Sequence, residues 1–173
     1  MMSFKTALLF LTAFSIAYAQ DNGEATTTIH VSLINALSIT SQDNSTLDYG
    51  AISLSGNQLS QIIGPESGAS FLVLGHPDKD IFLSFSETTL DNTIWSKENK
   101  GKQGTLTFVP SVVHTKDNAI FSNPTGVSSG GTYKLTKNSS VGKLYLWVGG
   151  KIDIKKNQPE GDYTGTFTIN VTY

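Results

Sequence analysis

The C-terminal end of the chain alternates strictly between two kinds of side chain. From Tyr163 to Tyr173, one side of an extended strand carries the aromatic and aliphatic residues, and the other side carries threonines and Asn170. Successive side chains of a strand point to opposite faces, so a period of two predicts a strand with one face on a core and the other in water. The residues predicted to face the core are Tyr163, Phe167, Ile169, Val171 and Tyr173.

The same short alternating runs recur along the chain, separated by Gly, Asn, Asp, Ser and Pro, and helical periodicity extends over no more than about one turn. This pattern predicts an all-β fold, an immunoglobulin-like antiparallel β-sandwich of roughly eight to ten strands. The predicted strands are 27–34, 37–40, 47–54, 69–74, 80–86, 104–109, 132–136, 143–148, 151–154 and 163–173. The predicted core residues are Ile39, Leu47, Tyr49, Val73, Ile81, Leu83, Phe85, Leu106, Phe108, Leu146, Val148, Ile152, Ile154, Phe167, Ile169 and Val171.

Two regions between these runs are less regular. The connection 86–104 is predicted to be a long loop between sheets with a short edge strand around Trp95. The apolar residues of 144–154 keep an even-numbered register across Gly149 and Gly150, and this pair of glycines permits a bulge or a sharp bend between two strands.

The N-terminus has the form of a processing signal. Lys5 supplies a positive charge, residues 7–17 are mostly apolar, and Ala17-Tyr18-Ala19 is the small-x-small pattern that a signal peptidase cuts. We therefore predict a signal peptide over 1–19, an N-terminal extension or first strand over 20–35, and one β-sandwich domain over 36–173. No later segment approaches the roughly twenty apolar residues of a spanning helix, so no transmembrane segment is expected in the mature chain.

Composition excludes several classes of function. The chain has no cysteine, which excludes disulfides, thiolate metal sites and a thiol nucleophile. All twelve basic residues are lysines and the formal net charge is −2. Without arginine, the bidentate guanidinium contact to phosphate is missing, and we expect no nucleic-acid partner.

The sequence offers no constellation for catalysis. There is no nucleophile elbow, phosphate loop or metal-ligand helix. The three histidines (His30, His76 and His114) are widely separated, and the turn aspartates match no calcium loop. The expectation is a protein that is not an enzyme and has no cofactor, no metal and no catalytic residues.

The segment 27–33 is the first candidate for an interaction. Ile29, Val31 and Leu33 lie on one face, and Thr28, His30 and Ser32 on the other. This pattern fits a first strand that pairs inside its own sandwich. It also fits a donor strand that fills an edge groove of the next subunit. Burial of the three apolar side chains would contribute roughly 5–9 kcal/mol in either case, so energy alone leaves both interpretations open.

Tyr145 and Trp147 are the second candidate. They interrupt the polar face of a strand whose other face carries Leu144, Leu146 and Val148. Two aromatic residues at i and i+2 form a flat apolar strip. A covering loop or strand, a subunit contact and a platform for sugar rings are the three interpretations of that strip.

The C-terminal motifs resemble those of a secreted bacterial family, the domain of unknown function 4402. The resemblance rests on Leu146-Trp-Val-Gly-Gly-Lys-Ile-Asp-Ile154, Asn157-Gln-Pro-Glu-Gly-Asp-Tyr163 and the final strand, with Leu37-Ser-Ile39 and Leu47-Asp-Tyr-Gly50 near the N-terminus. The ending is also similar to that of spore-coat-protein-U-like proteins and archaic chaperone–usher pilins. Those pilins usually carry a disulfide, and this chain departs from them in having no cysteine.

The resemblance implies a surface or filament-associated β-sandwich. The expected function is an exported, non-enzymatic structural or adhesive subunit that assembles by β-strand addition, in the periplasm, on the cell surface or outside a Gram-negative bacterium. Its expected partners are other copies or other surface subunits, with a periplasmic chaperone and an outer-membrane usher for export. The alternative is a monomeric extracellular module that binds carbohydrate or protein through Tyr145 and Trp147.

Overall fold

A computed structural model describes residues 31, 34–42, 46–54 and 56–173. Within these residues the chain forms short strands, one helix (α1, Thr93–Asn99) and a 3-10 turn, Pro65–Ser67. The strands are β1 (Ser38–Ser41), β2 (Leu59–Ile63), β3 (Ala69–Gly75), β4 (Asp80–Phe85), β5 (Thr88–Asp91), β6 (Thr105–His114), β7 (Thr125–Gly126), β8 (Gly131–Lys134), β9 (Thr136–Asn138), β10 (Val141–Ile154) and β11 (Ile169–Thr172).

The strands form two antiparallel sheets that pack as a sandwich, as the alternation predicted. The larger sheet has the order β1-β3-β10-β6-β5, with β2, β7 and β9 added at its sides, and the smaller has the order β11-β4-β8. The 14-residue strand β10 is the spine of the larger sheet. Its first half pairs with β3 and its second half with β2, while β6 pairs along its other edge.

The main core lies between the two sheets. Alternate residues of β10, including Leu144, Leu146 and Val148, face Ile81 and Leu83 of β4, and all five are buried. The predicted core is confirmed: nine of its residues are buried and the other seven are partly buried against a core cluster. Leu135, which is fully buried, was not among the predicted core residues.

The predicted break between two strands at Gly149 and Gly150 is wrong, because β10 continues through both residues. The two glycines instead allow neighbouring groups to lie close to the backbone of β10. A Cβ on Gly149 would collide with the backbone of Ile63 and Gly64, and a Cβ on Gly150 would collide with the Phe108 ring. Only glycine lets β10 pass between these neighbours while it keeps its ladder.

The C-terminal strand is shorter than predicted. Thr164 forms an isolated bridge with Asp91 of the larger sheet, and β11 then pairs with β4 of the smaller sheet. The segment 165–168 lies in neither sheet. The predicted faces are nevertheless correct from Thr164 to Thr172, where Phe167, Ile169 and Val171 are partly buried and the residues between them are exposed.

Two other strand predictions are wrong, and a third strand is longer than predicted. The segment 47–54 forms no strand. Trp95 lies in α1. The edge strand of the connection 86–104 is β5, which ends at Asp91, four residues before Trp95. The strand that begins near Gly104 extends to His114 rather than to Val109, because its second half pairs with the middle of β10.

Candidate functional site

A cleft of about 1040 Å³ opens on the core side of the larger sheet, at the end that the smaller sheet does not cover. Its floor is apolar. Leu106 and Phe108 of β6 and Ile152 and Ile154 of β10 form a second buried cluster there. These side chains alternate with outward-facing residues, so the strand periodicity alone places them on this face.

The segment 46–54 forms the first wall of the cleft. Leu47, Tyr49 and Ile52 pack against the floor. Asp48 Oδ1 accepts a hydrogen bond of 2.8 Å from the Gly50 N–H, and Gly50 has a φ of +65°. This Asx turn breaks the alternation between Tyr49 and Ile52. Among the described residues, no backbone hydrogen bond joins this segment to a neighbouring strand.

The second wall is the segment 159–167. Hydrogen bonds of Tyr163 hold its first residues in place. The Tyr163 hydroxyl donates to the carbonyl oxygen of Pro159 at 2.7 Å and accepts from Gln158 Nε2 at 2.8 Å. Gln158 is buried and also donates to the Thr105 carbonyl at 3.1 Å. A tyrosine bonded to the backbone a few residues upstream is a feature of immunoglobulin-like corners. Beyond Thr164, the described backbone of 165–168 has no ladder partner.

Asn92 holds the turn before this wall in place. Its side chain is fully buried. Its Nδ2 donates to the carbonyl oxygens of Lys102 (3.0 Å) and Glu160 (2.7 Å), and its Oδ1 accepts from the Gly104 N–H (2.7 Å). One amide therefore joins the start of α1, the approach to β6 and the turn at Glu160, and it uses both of its donors and one of its two acceptor positions.

Gly161 completes this turn. It has a φ of +137°, a conformation that L side chains rarely adopt. A Cβ there would also lie 2.8 Å from the Trp95 ring and 2.9 Å from Asn92 Nδ2. The Trp95 ring of α1 therefore packs against the turn at Gly161, which lines the cleft.

Phe167 closes the end of the cleft nearest the main core. Its ring meets Phe85 of the smaller sheet edge-on at 6.1 Å and Phe108 of the larger sheet edge-on at 5.6 Å. Edge-to-face pairs at these distances are favourable. Phe167 therefore links the two sheets at the point where the C-terminal segment passes from one to the other.

The polar groups at the cleft are few. The Tyr49 hydroxyl is buried and has no hydrogen-bond partner among the described residues, and burial raises the pKa of this phenol to about 12. Asp48, Glu160 and Asp162 lie along the walls, and none of the residues that line the cleft is a lysine. The cleft thus offers apolar side chains and unpaired backbone groups to a guest, with a mildly acidic rim.

The predicted site residues lie elsewhere. Ile29 and Leu33 of the candidate donor strand fall outside the described residues, as do the predicted signal peptide 1–19 and His30. Val31 is described; it is in no strand and its side chain is exposed. Tyr145 and Trp147 come together on the outer face of β10, opposite the core side that forms the cleft floor.

A loop contacts Trp147 on that outer face. The indole Nε1 donates to Thr115 Oγ1 at 2.9 Å, and the Phe121 ring meets the indole edge-on at 5.3 Å. Of the three interpretations of the aromatic strip, a covering loop accounts for one side of Trp147. Tyr145 and Trp147 both remain partly exposed beside a smaller pocket.

The sequence predicted a turn over 157–161 with a positive φ at Gly161, and the structure confirms that φ. It wrongly placed 47–54 in a strand, although Asp48-Tyr49-Gly50 is the signal of an Asx turn that ends the alternation, and it did not identify Asn92. No local pattern marks Asn92, because its three partners are 10, 12 and 68 residues away along the chain.

No group of three or more His, Cys, Asp or Glu side chains in the described part of the chain is placed to hold a metal ion. No helix within the described ranges has the length and apolar character needed to cross a bilayer.

Comparison with known proteins gives one match. A family model described as a domain of unknown function, DUF4402, matches residues 37–173. No curated protein and no solved structure matches the chain.

Proposed function

The chain belongs to the DUF4402 family, and we propose that it is an exported, non-enzymatic structural or adhesive subunit that assembles by β-strand addition. The observation that carries this proposal is the cleft, whose apolar floor is flanked by 46–54 and 165–167, two stretches with no backbone ladder partner among the described residues. A guest strand between them gains main-chain hydrogen bonds on both sides and side-chain burial underneath.

The donor in this proposal is the segment 27–34 of a second copy. It precedes the matched family domain, which starts at residue 37. Ile29, Val31 and Leu33 repeat with a period of two, so all three can face the floor while Thr28, His30 and Ser32 face water. It is uncharged apart from His30, so the acidic rim of the cleft does not oppose its entry.

We assign the donor to a second copy because the segment is short compared with the distance from its point of attachment to the far end of the cleft floor. Asn35 is anchored at the start of β10, where its Nδ2 donates to the Ser140 carbonyl at 3.0 Å and its own carbonyl accepts from the Tyr173 hydroxyl at 2.7 Å. Ile29 is six residues before Asn35 and reaches at most about 21 Å from it. Ile152 is twelve residues beyond Ser140 along the sheet, about 40 Å at the rise of a strand. A neighbouring copy removes this restriction.

The magnitudes are adequate for a stable contact. Burial of Ile29, Val31 and Leu33 contributes roughly 5–9 kcal/mol. Each backbone hydrogen bond adds about 0.5–1.5 kcal/mol net. Association costs an estimated 4–15 kcal/mol in lost freedom, so the strand must use both walls as well as the floor to hold two copies together.

Export and assembly partners are part of the same proposal. The predicted signal peptide over 1–19 supports passage through the inner membrane of a Gram-negative bacterium. The similarity of the C-terminal motif to spore-coat-protein-U-like proteins and archaic pilins supports a periplasmic chaperone and an outer-membrane usher as assembly partners. The periplasm, the cell surface and the extracellular space are the compartments this proposal allows.

Directed cross-linking tests the contact, because the chain has no cysteine of its own. Full-length chains with Val31→Cys and with Ala51→Cys, a residue of the first wall, are co-expressed and oxidised. We expect a heterodimer on non-reducing gels whose disulfide joins the two positions in mass spectra. Lys137→Cys on β9 is the control, because that residue is exposed and does not line the cleft. Equal cross-linking to positions 51 and 137 would contradict the proposal.

A matched pair of charge variants tests the donor face. Ile29→Asp with Leu33→Asp places two carboxylates toward the floor, and we expect this chain to be monomeric by light scattering. Thr28→Asp with Ser32→Asp adds the same charge to the opposite face and is expected to leave the polymer ladder in unboiled gels. Identical behaviour of the two double variants would remove the basis for a donor strand.

A further inference from the structure

The outer face of the larger sheet carries a second concavity that strand addition does not use. We call it the outer pocket; its volume is about 220 Å³, and Gln42, Glu66, Ser67, Ser70, Tyr145 and Trp147 line it. The paired strands β10 and β3 form its base. In this pairing Trp147 lies opposite Ser70, and Tyr145 lies opposite Leu72. The pairing places the Trp147 and Ser70 side chains on the same face.

Trp147 is held in one orientation at this pocket. Its Nε1–H is already engaged by Thr115 Oγ1, and Phe121 contacts the ring edge-on. It belongs to neither core cluster. The indole therefore presents a fixed ring to the pocket, and its donor is not available to a ligand. A fixed aromatic surface loses little entropy when a second ring stacks on it.

Polar groups converge on the same space from a different element. The 3-10 turn Pro65–Ser67 places the Glu66 carboxylate and the Ser67 hydroxyl at the rim, and Gln42 is fixed by a backbone hydrogen bond of 2.8 Å to Ser70. Within the described chain, no hydrogen bond engages the Glu66 carboxylate or the Ser67 and Ser70 hydroxyls. The described residues likewise give Glu66 no lysine partner.

We propose that the outer pocket binds one uncharged sugar residue of a glycan. A pyranose has an apolar face of C–H groups that suits an aromatic ring and a rim of hydroxyls that suits a carboxylate, an amide and serines. Glu66 would repel acidic sugars, so the specificity is for neutral glycans.

Intrinsic fluorescence and a glycan array test the proposal on the full-length chain. Trp95→Phe leaves Trp147 as the one indole, and its emission is followed during titration with neutral oligosaccharides of glucose, galactose and N-acetylglucosamine. We expect saturable binding to at least one of these and about ten-fold weaker binding to the same glycan capped with sialic acid. Neutral and sialylated glycans that all fail to bind would overturn the proposal.

Variants separate binding from folding. Tyr145→Ala and Glu66→Gln alter partly or fully exposed side chains, and we expect about ten-fold weaker binding for the first. The second is expected to lose the discrimination against sialylated glycans while circular dichroism stays that of the parent chain. Phe82→Ala, an exposed aromatic on the smaller sheet, is the control and is expected to bind as the parent does. Binding of a quaternary ammonium in place of sugars would instead assign the pocket to a cation and overturn the proposal.

The two proposals fail separately. Loss of cross-linking between positions 31 and 51 would leave the outer pocket untouched, because its residues line no part of the cleft. Absence of glycan binding would equally leave strand addition in place.

Discussion

Asp91 and Thr164 exchange two backbone hydrogen bonds of 3.0 Å, and this pair ties the C-terminal segment to the edge of the larger sheet. Five residues later the same segment enters β11 and pairs with the smaller sheet. Residues 165–168 between these two pairings have no backbone partner in the described part of the chain, and they form part of one wall of the cleft. The bridge is therefore the point that sets the width of the cleft on that side.

Removal of the Thr164 N–H should weaken this wall. Thr164→Pro deletes the donor and leaves the Asp91 carbonyl without its partner. We expect the free energy of unfolding to fall by about 1–3 kcal/mol in urea titration. Thr164→Ala keeps the N–H and changes only an exposed side chain, so its unfolding midpoint should stay near that of the parent. Equal midpoints for the two variants would show that the bridge contributes nothing.

Asn92 should be among the most sensitive polar positions of the fold. Asn92→Ala leaves the Gly104 N–H and the carbonyls of Lys102 and Glu160 without their partner. We expect a loss of about 2–4 kcal/mol in the free energy of unfolding. Asn99→Ala, whose amide makes a single exposed contact to Trp95 within α1, is the control and should cost much less.

The substitution Asn92→Asp should make the free energy of unfolding depend on pH. The new carboxylate would face two carbonyl oxygens in a buried position, which raises its pKa above that of the unfolded chain. The protonated form can donate a hydrogen bond, so the stability it supplies is present below about pH 4 and is lost as the pH rises. Urea titrations at pH 4 and pH 7 should show a larger deficit against the parent at pH 7. A deficit that does not change with pH would contradict the placement of those carbonyls.

Tyr49 should make the fold sensitive to alkali. Burial raises the pKa of its phenol from 10.0 to about 12. The neutral phenol is favoured in the folded chain, so this stabilising contribution is complete below pH 10 and is lost as the pH rises towards 12. Tyr49→Phe lacks the ionisable group, and its stability should fall less than that of the parent between pH 9 and pH 11. Absorbance titration at alkaline pH, with one tyrosine ionising late in the parent only, checks the assignment.

His114 should make the stability of the fold sensitive to acid. Burial, and then the charge of Lys116, lower the pKa of this imidazole. Its Nδ1 accepts a hydrogen bond of 3.3 Å from the Lys116 N–H, and its ring packs edge-on against Tyr133 at 5.7 Å. The folded chain keeps the ring neutral, so the stability it supplies is full above pH 6.5 and falls as the pH drops below that value. His114→Asn should flatten this decline between pH 7 and pH 5 in thermal unfolding.

Lys116→Ala provides the partner experiment for His114. It removes the positive charge while burial stays, so the pKa of His114 should move part of the way back towards its ordinary value. Titration of the imidazole resonances by NMR measures this directly. A His114 pKa that is the same in both chains would assign the whole effect to burial.

The candidate site was only partly predictable, and its residues show why. Leu106, Phe108, Ile152 and Ile154 were expected in the core from their period of two, and they form the floor of the cleft. Strands were expected over 47–54 and 163–173, because both stretches show the apolar alternation of paired strands. A hydrogen-bond ladder also needs a neighbour at the correct distance, and among the described residues neither 47–54 nor 165–168 has one.

The sequence by itself determined the all-β class, the sides of each strand that face inward and most of the core, because the two-residue period is a local property of the backbone. Tertiary structure alone decided that the C-terminal segment changes sheets, that Trp95 lies in a helix and that Asn92 fastens three distant stretches. Strand pairing and buried amide contacts join residues far apart along the chain, and no local pattern specifies which of those residues meet.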